Sequence, residues 1–322
     1  MKIKKILAGI LVLAIAAATV GCGSAPSNDN SGNTAKQPTK TAAEMKIGVI
    51  QGSEHVALDA ACAGFVETLV ANGFTEDNID VQNAQGEQSN CGTIATKFVN
   101  DGVDLILTIG TPASQAAAQA TKDIPILVTA VTDPASAGLV KSNEKPECNV
   151  SGTSDMNPIK EQIDLLMKFV PEAKNVGIMY CSSEVNSEIQ ADLAKADLEG
   201  RGIAVKYYTA ADSSEIQAVM QSAVDKVDAI YIPTDNLFAG AMDTVALVSI
   251  PNKIPVICGE AGMVKSGGLA TYGIEYKALG VQTAKQAIDI LINGANIAEM
   301  PIGYSPVESL EITINDDMAL KL

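Results

Sequence analysis

From residue 46 onward, short runs of apolar, β-rich residues alternate with longer stretches whose apolar positions recur at helical spacing. That alternation predicts βαβ units built on parallel sheet. The strands come in matching pairs: "MKIGVI" (45–50) with "NVGIMY" (175–180), and "NIDVQNAQ" (78–85) with "GIAVKYYT" (202–209). "GVDLILTIGTPA" (102–113) pairs with "KVDAIYIPTDN" (226–236), and "IPILVTAVTDP" (124–134) with "IPVICGE" (254–260). Aligned strand to strand, the partners lie 124–130 residues apart, so the pattern predicts two similar, doubly wound α/β lobes joined by a hinge.

The helices between these strands are equally legible. In "EHVALDAACAGFVETLVANG", Leu58, Cys62, Phe65, Val66 and Leu69 share one helical face and Gly73 stops the helix. "SEVNSEIQADLAKADLEGRG" opens on serines suited to N-capping, and "TPASQAAAQATK" offers Thr111 as a cap with Pro112 at the first helical position. "CNVSGTSDMNP" (148–158) reads as a hinge strand between the lobes, and "GLATYGIEY" (268–276) as a second crossing. The expected lobes are therefore 45–152 and 153–272, with 273–322 supplying the hinge return, a helix, a final strand and a short helical turn.

The first residues follow another pattern. "MKIKK" is a positive n-region and "ILAGILVLAIAAATV" an apolar h-region too short for a comfortable span, so 1–21 reads as a signal peptide. The "TVGCGS" that follows looks like a bacterial lipobox, with Cys22 as the lipidated mature N-terminus. The alternative is an ordinary secretory signal with an incidental cysteine. Residues 22–44, rich in Ser, Asn, Thr and Pro with almost nothing to bury, read as a flexible tether.

Composition narrows the function. The 38 acidic and 22 basic residues give a formal charge of −16, falling to −19 when Lys2, Lys4 and Lys5 leave with the leader. No clustered Lys/Arg face exists to hold nucleic acid. With one histidine and with Cys62, Cys91, Cys148, Cys181 and Cys258 never spaced as CxxC, neither a metal site nor any cofactor is expected. Aromatic pocket walls must come from 7 Tyr and 5 Phe, since there is no Trp.

In a doubly wound sheet, ligands bind beyond the carboxyl ends of the strands. Polar clusters sit at those ends: "QGSEH", "NAQGEQSN", "GTPAS" and "AVTDP" in the first lobe, "YCSSEVNS", "IPTDN" and "CGEAG" in the second. Two such crests facing across a hinge make a cleft. "EHVALDAA", "QNAQGEQSN", "TPASQAAAQATKDIPI", "AVTDPASAGLV", "NVSGTSD", "DAIYIPTDN" and "IPVICGE", in this order, closely resemble the ABC-transporter substrate-binding lipoproteins whose members bind tryptophan or tyrosine. The resemblance runs from about residue 46 to the C-terminus. It implies a type I periplasmic-binding-protein fold that closes around an aromatic amino acid: tryptophan, tyrosine or phenylalanine.

Physical chemistry asks three things of such a cleft. An α-carboxylate wants helix-terminal N–H groups and hydroxyls, for which Thr111, Ala113 and Thr132 are candidates. An α-ammonium wants a carboxylate, first Asp235 and then Glu260. The side chain wants an apolar slot with a few polar probes, which Gln51, Glu54 and His55 could supply. Asp133, Ser182, Gln85 and Asn236 complete the candidate set. Each has a plainer reading: Asp133 as a turn residue, Asp235 and Asn236 as caps of "LFAGAMDTVALV", Ser182 with Ser183 and Glu184 as a capping group, Gln85 and Gln88 as solvent-facing. Ser154 and Asp155 read as hinge-shaping, and Phe238 as core.

The lone histidine invites a catalytic reading that fails. No GxSxG elbow occurs, and Glu54, as the adjacent residue, points away from His55 on a helix. His55 remains either a cleft contact or a helix-start residue. The expected protein is thus no enzyme but a monomeric, lipid-anchored receptor on the outer face of the cytoplasmic membrane. It would deliver its ligand to an ABC permease and ATPase encoded elsewhere, no Walker motif being present. The alternative is a ligand-binding sensor or surface adhesin of the same fold.

Overall fold

The structure, a computed structural model, describes residues 40–322. The expected signal peptide, Cys22 and most of the tether lie outside the described residues. The first lobe is built from β1 (Ile47–Gln51), α1 (Val56–Ala71), β2 (Ile79–Asn83), α2 (Gln88–Asp101), β3 (Leu105–Ile109), α3 (Thr111–Ala120), β4 (Ile126–Val131) and β5 (Val150–Ser154). The second runs through α4 (Ile159–Phe169), β6 (Asn175–Cys181), α5 (Val185–Gly200), β7 (Ala204–Ala210), α6 (Ile216–Ala223), β8 (Ala229–Ile232) and α7 (Asn236–Ala239). It continues with α8 (Met242–Asn252), β9 (Val256–Cys258), α9 (Ala261–Lys265) and β10 (Ala270–Gly273). Then come α10 (Tyr276–Leu291), β11 (Gly303–Tyr304), β12 (Glu311–Ile314) and α11 (Asp316–Lys321).

The two sheets have the orders β11-β5-β4-β3-β1-β2 and β12-β10-β9-β8-β6-β7, parallel throughout except where β12 runs against β10. The central strands β1, β3, β4, β8 and β9 are buried at every residue, as helices on both faces require. The repeat extends to single side chains. Asp104 accepts from the Lys46 N–H at the entry to β1 (2.8 Å), and Asp228 accepts from the Lys174 and Asn175 N–H groups at the entry to β6 (2.8 Å each). Each aspartate follows the valine of its "VD" pair and pins the strand beside its own.

Three crossings join the lobes. Residues 155–158 lead from β5 to α4, whose Ile163 and Leu166 bury in the second lobe. Residues 274–275 lead back from β10 to α10, whose Leu279, Ala284 and Ala287 join the core of α1. A Cβ on Gly64 would stand 2.1 Å from the Lys277 carbonyl and one on Gly280 2.0 Å from the Ala61 carbonyl, so glycines let the α1 and α10 backbones touch. The third crossing, 305–310, follows β11, a two-residue strand beside β5 that carries no sequence signal of its own. Asn157 knits the first two crossings: its Nδ2 donates to the Asp155 carbonyl (3.1 Å) and to Thr234 Oγ1 (3.2 Å), while its Oδ1 accepts from the Ile274 N–H (3.2 Å).

Local details depart from the sequence reading by a residue or so. Gly110, at φ 96°, caps α3, so Thr111 and Pro112 occupy its first two positions. The predicted helix after "PTDN" is two helices, α7 and α8, broken at Gly240–Ala241. The cysteines at 62, 91, 148, 181 and 258 are all unpaired, and burial raises the Cys62 thiol to about 11.

Candidate functional site

In each sheet the first strand lies between its second and third, so the chain winds away from it in both directions. A crevice opens at such a point, beyond the strand ends. The lobes press these crevices together. Their shared cleft encloses about 460 Å³, a size suited to a small organic molecule. Gly52–Glu54, Gln85 and the Gly110–Pro112 turn line it from one side; Cys181, Ser183, Glu184 and Asn236–Leu237 line it from the other. Cys91, Pro112, Ala211 and Leu237 supply apolar surface, and among the described residues no Phe or Tyr ring lines this part of the cleft.

Toward the hinge lies an inner chamber of about 10 Å³, room on the order of one small polar group. Three nearly fully buried carboxylates line it: Asp155, Asp235 and Glu260. Among the described residues, no lysine or arginine lines the chamber or the cleft. Removal from water penalises the charged form, so burial raises Asp155 to about 6 and Glu260 to about 7, against the hydrogen bonds each accepts. Asp235 is raised by burial and by neighbouring Glu184.

Asp235 and Glu260 start short helices. Asp235 accepts from the Phe238 N–H (2.8 Å) and the Cys181 N–H (2.6 Å), one on each oxygen. Glu260 accepts from the Gly262 N–H and from the Met263 N–H (2.8 Å). The sequence reading made these two the ammonium partners, yet each of their oxygens already holds a backbone N–H. Asp155 differs. Its Oδ2 accepts from the Tyr276 hydroxyl (2.8 Å), but its buried Oδ1 has no protein partner. Read from sequence as hinge-shaping, it lies on the chamber wall because the crossing passes there, and only its acidity could have flagged it.

His55 caps the start of α1 and reaches across the cleft, its Nε2 lying 3.3 Å from Asn236 Oδ1. Asn236 Nδ2 donates to Glu184 Oε2 (2.6 Å), which turns the Asn236 oxygen toward the ring and makes His55 Nε2 the donor. Burial holds His55 below its ordinary range, against the Asn236 bond and Asp59. The ring is therefore neutral and its buried, unpartnered Nδ1 is an acceptor. A second bond crosses the cleft from Gln190 Nε2 to Thr132 Oγ1 (3.1 Å).

The other predicted residues divide. Thr132 lines the chamber, and Glu54 and Gln85 line the exposed part of the cleft. Thr111 is buried between the lining residues Gly110 and Pro112. Three expectations are corrected as side-chain contacts. Gln51 turns inward, donating to Asp59 Oδ1 (2.6 Å) and the Ser53 carbonyl (2.9 Å). Ala113 buries its methyl group in the core of the first lobe, and the expectation for its backbone N–H in the first turn of α3 is unaffected. Asp133 closes its own turn, accepting from the Ala135 and Ser136 N–H groups and from Asn143 (3.0 Å). Ser182 lies nearest the Ala210 carbonyl (3.5 Å), leaving Ser183 to face the cleft.

Comparison with known proteins agrees with this geometry. A family described as ABC transporter substrate binding protein matches residues 46–322. A tyrosine-binding protein of Clostridioides difficile (strain R20291) is 43% identical over 326 residues, covering 98% of this chain and 92% of that protein. An ABC domain from Streptococcus pneumonia, solved in complex with L-Trp, is 37% identical with a TM-score of 0.81, covering 85% of this chain and 94% of that one. A Clostridium difficile substrate binding protein with adhesive properties, solved ligand-free and open, is 46% identical but has a TM-score of 0.66, covering 86% of this chain and 94% of that one. The better shape match at lower identity, with the hydrogen bonds across the cleft, marks the lobes as closed.

Proposed function

Since the chain belongs to the ABC transporter substrate-binding protein family, we propose that it captures a free aromatic amino acid, tyrosine or tryptophan, between its lobes for import. Proteins of this family work outside the cytoplasm and hand their ligand to a permease, so this chain's role is recognition. The leader and "TVGCGS" support a lipid anchor on Cys22, which would hold the monomer at the membrane.

One observation carries the ligand class: a cleft whose inner end is lined by buried carboxylates with no lysine or arginine among the described residues, and whose outer part is walled on the first lobe by the loop entering α1 and the start of α3. Helix starts attract a carboxylate and buried carboxylates attract an ammonium, so the two ends suit a zwitterion. The 43% identical relative named tyrosine-binding and the 37% identical relative solved with L-Trp support an aromatic side chain. Ligand stabilises the closed state because only that state offers both ends at once.

The test is a thermal-shift panel of the amino acids, nucleosides and simple sugars on protein stripped by unfolding and refolding. At about 100 times its Kd a true ligand adds ~2.7 kcal/mol, a rise of a few degrees. A selective response to tyrosine or tryptophan supports the reading; silence toward every amino acid sinks it. The adhesive properties of the 46% identical relative support a second, compatible role at the cell surface. Loss of host-cell attachment on deleting the gene, restored by a variant unable to bind ligand, would separate adhesion from import.

A further inference from the structure

Three buried acceptor atoms with no hydrogen-bond partner among the described residues belong to the wall of the inner chamber: Asp155 Oδ1, Asn186 Oδ1 and His55 Nδ1. They come from the hinge, the second lobe and the first lobe respectively. The orientation of each is fixed by the rest of its group. Tyr276 holds the other Asp155 oxygen, and Asn186 Nδ2 donates to Glu184 Oε2 (3.0 Å) and the Thr234 carbonyl (3.4 Å), which leaves the amide oxygen free. Asn236 holds His55 Nε2.

Unpaired buried acceptors are costly, and a native site that retains three together is arranged for donors. A primary ammonium brings three N–H donors and one positive charge, in a volume close to that of a water molecule. Building on the amino-acid reading above, we infer that the chamber is the ammonium socket, with Asp155 as its charged anchor and Asn186 and His55 as the two neutral acceptors. Asp235 and Glu260 contribute negative potential from the same wall while serving as helix caps. The anchor thus sits on the hinge itself. Asp155 begins the first crossing and its partner Tyr276 follows the second, so the ligand's charge is neutralised where the lobes turn, and by contacts that only the closed arrangement assembles.

The test pairs ligand and protein changes. Binding of tyrosine, phenylalanine, tyramine and 3-(4-hydroxyphenyl)propionate would be measured calorimetrically on the full chain purified in detergent, in wild type and Asp155→Asn. Asp155→Asn should weaken every amine-bearing ligand at least about tenfold, the scale of a lost charged hydrogen bond. The amine-free propionate should bind the variant as well as it binds wild type, or better. Equal weakening of the propionate would show that Asp155 merely shapes the hinge. Weakening of tyrosine but not phenylalanine would place the phenol, not the amine, in the chamber. Either result overturns the assignment. Should Asp155→Asn fail to fold, His55→Phe removes a neutral acceptor and should weaken the amines several-fold while sparing the propionate; no selectivity there overturns it equally. Wild type that binds no amino acid refutes the functional reading itself, whereas wild type that binds and a variant that binds as tightly refutes only the socket.

Discussion

At matching places in the repeat, the two faces of the cleft carry different chemistry. His55 caps α1 and Glu184 caps α5. Thr111 opens α3 where its repeat partner Asp235 caps α7. Three carboxylates, Glu184, Asp235 and Glu260, crowd the cleft end of the second lobe, while the first offers helix starts, hydroxyls and a neutral imidazole, with exposed Glu54 its one acid among the described lining residues. The equivalents His55 and Glu184 even meet on one side chain, taking the oxygen and the nitrogen of Asn236. A duplicated scaffold places two crests in register, and divergence at a few loop positions gives the second its buried carboxylates and the first its helix starts and hydroxyls. Fold and specificity are separable because strands fix the crests and strand ends carry the chemistry.

The sharpest way to break this contrast is to remove acids that do different jobs. Asp235→Ala leaves the Cys181 and Phe238 N–H groups unpaired in a buried place, and should cost about 2–3 kcal/mol in urea denaturation. A cost below about 0.5 kcal/mol would show that the caps are dispensable.

The next largest effect is on affinity. In unliganded protein Asp155 titrates at about 6 because it is buried, and a bound ammonium would lower that value. Ligand therefore binds the ionised form, and affinity should fall at least about tenfold between pH 7.5 and pH 5. The other groups facing the chamber reinforce the sign: Glu260 and Asp235 gain protons over the same range, His55 moves toward a repelling charge, and Tyr276 stays neutral, its hydroxyl raised by burial. A flat calorimetric profile would contradict the acidic pole.

Stability without ligand gives a smaller effect of opposite sign. A buried carboxyl raised from 3.8 to about 6 binds protons more tightly in the folded state, so its contribution is present at low pH and lost as pH rises from about 4 to about 6. Asp155→Asn should then raise the unliganded melting temperature at pH 7.5 by a few degrees, from about 1–2 kcal/mol, and by less at pH 5. Destabilisation at both pH values would make Asp155 a structural residue like Asp235. On the first lobe, Gly110→Ala forces a side chain onto φ 96° at the start of α3 and should cost about 1 kcal/mol of stability. It should also weaken carboxylate-bearing ligands more than tyramine, and indifference would remove α3 from the carboxylate pole. Asp133→Asn, which keeps the turn's acceptor, should change affinity by less than about twofold.

The two-lobe plan was legible because it rests on local pattern and repetition: apolar runs, helical periodicity and the paired "VD" segments needed no tertiary information. The ring of strand-end clusters followed from topology alone, and His55, Asp235, Asn236 and Glu260 were found there. Gln51 was misplaced because one step along a strand end turns a side chain from cleft to core. The third crossing escaped since β11 is two residues long and exists by pairing with β5.

The sequence by itself determined that this chain forms two similar α/β lobes with polar crests at a hinge, because strand and helix periods are properties of neighbouring residues. Only the tertiary structure decided that Asp155, Asn186 and His55, the last two 131 residues apart, share one chamber, and that Asp235 and Glu260 spend their oxygens on backbone. Which lone pairs stay free after folding is a result of packing, and no period along the chain encodes it.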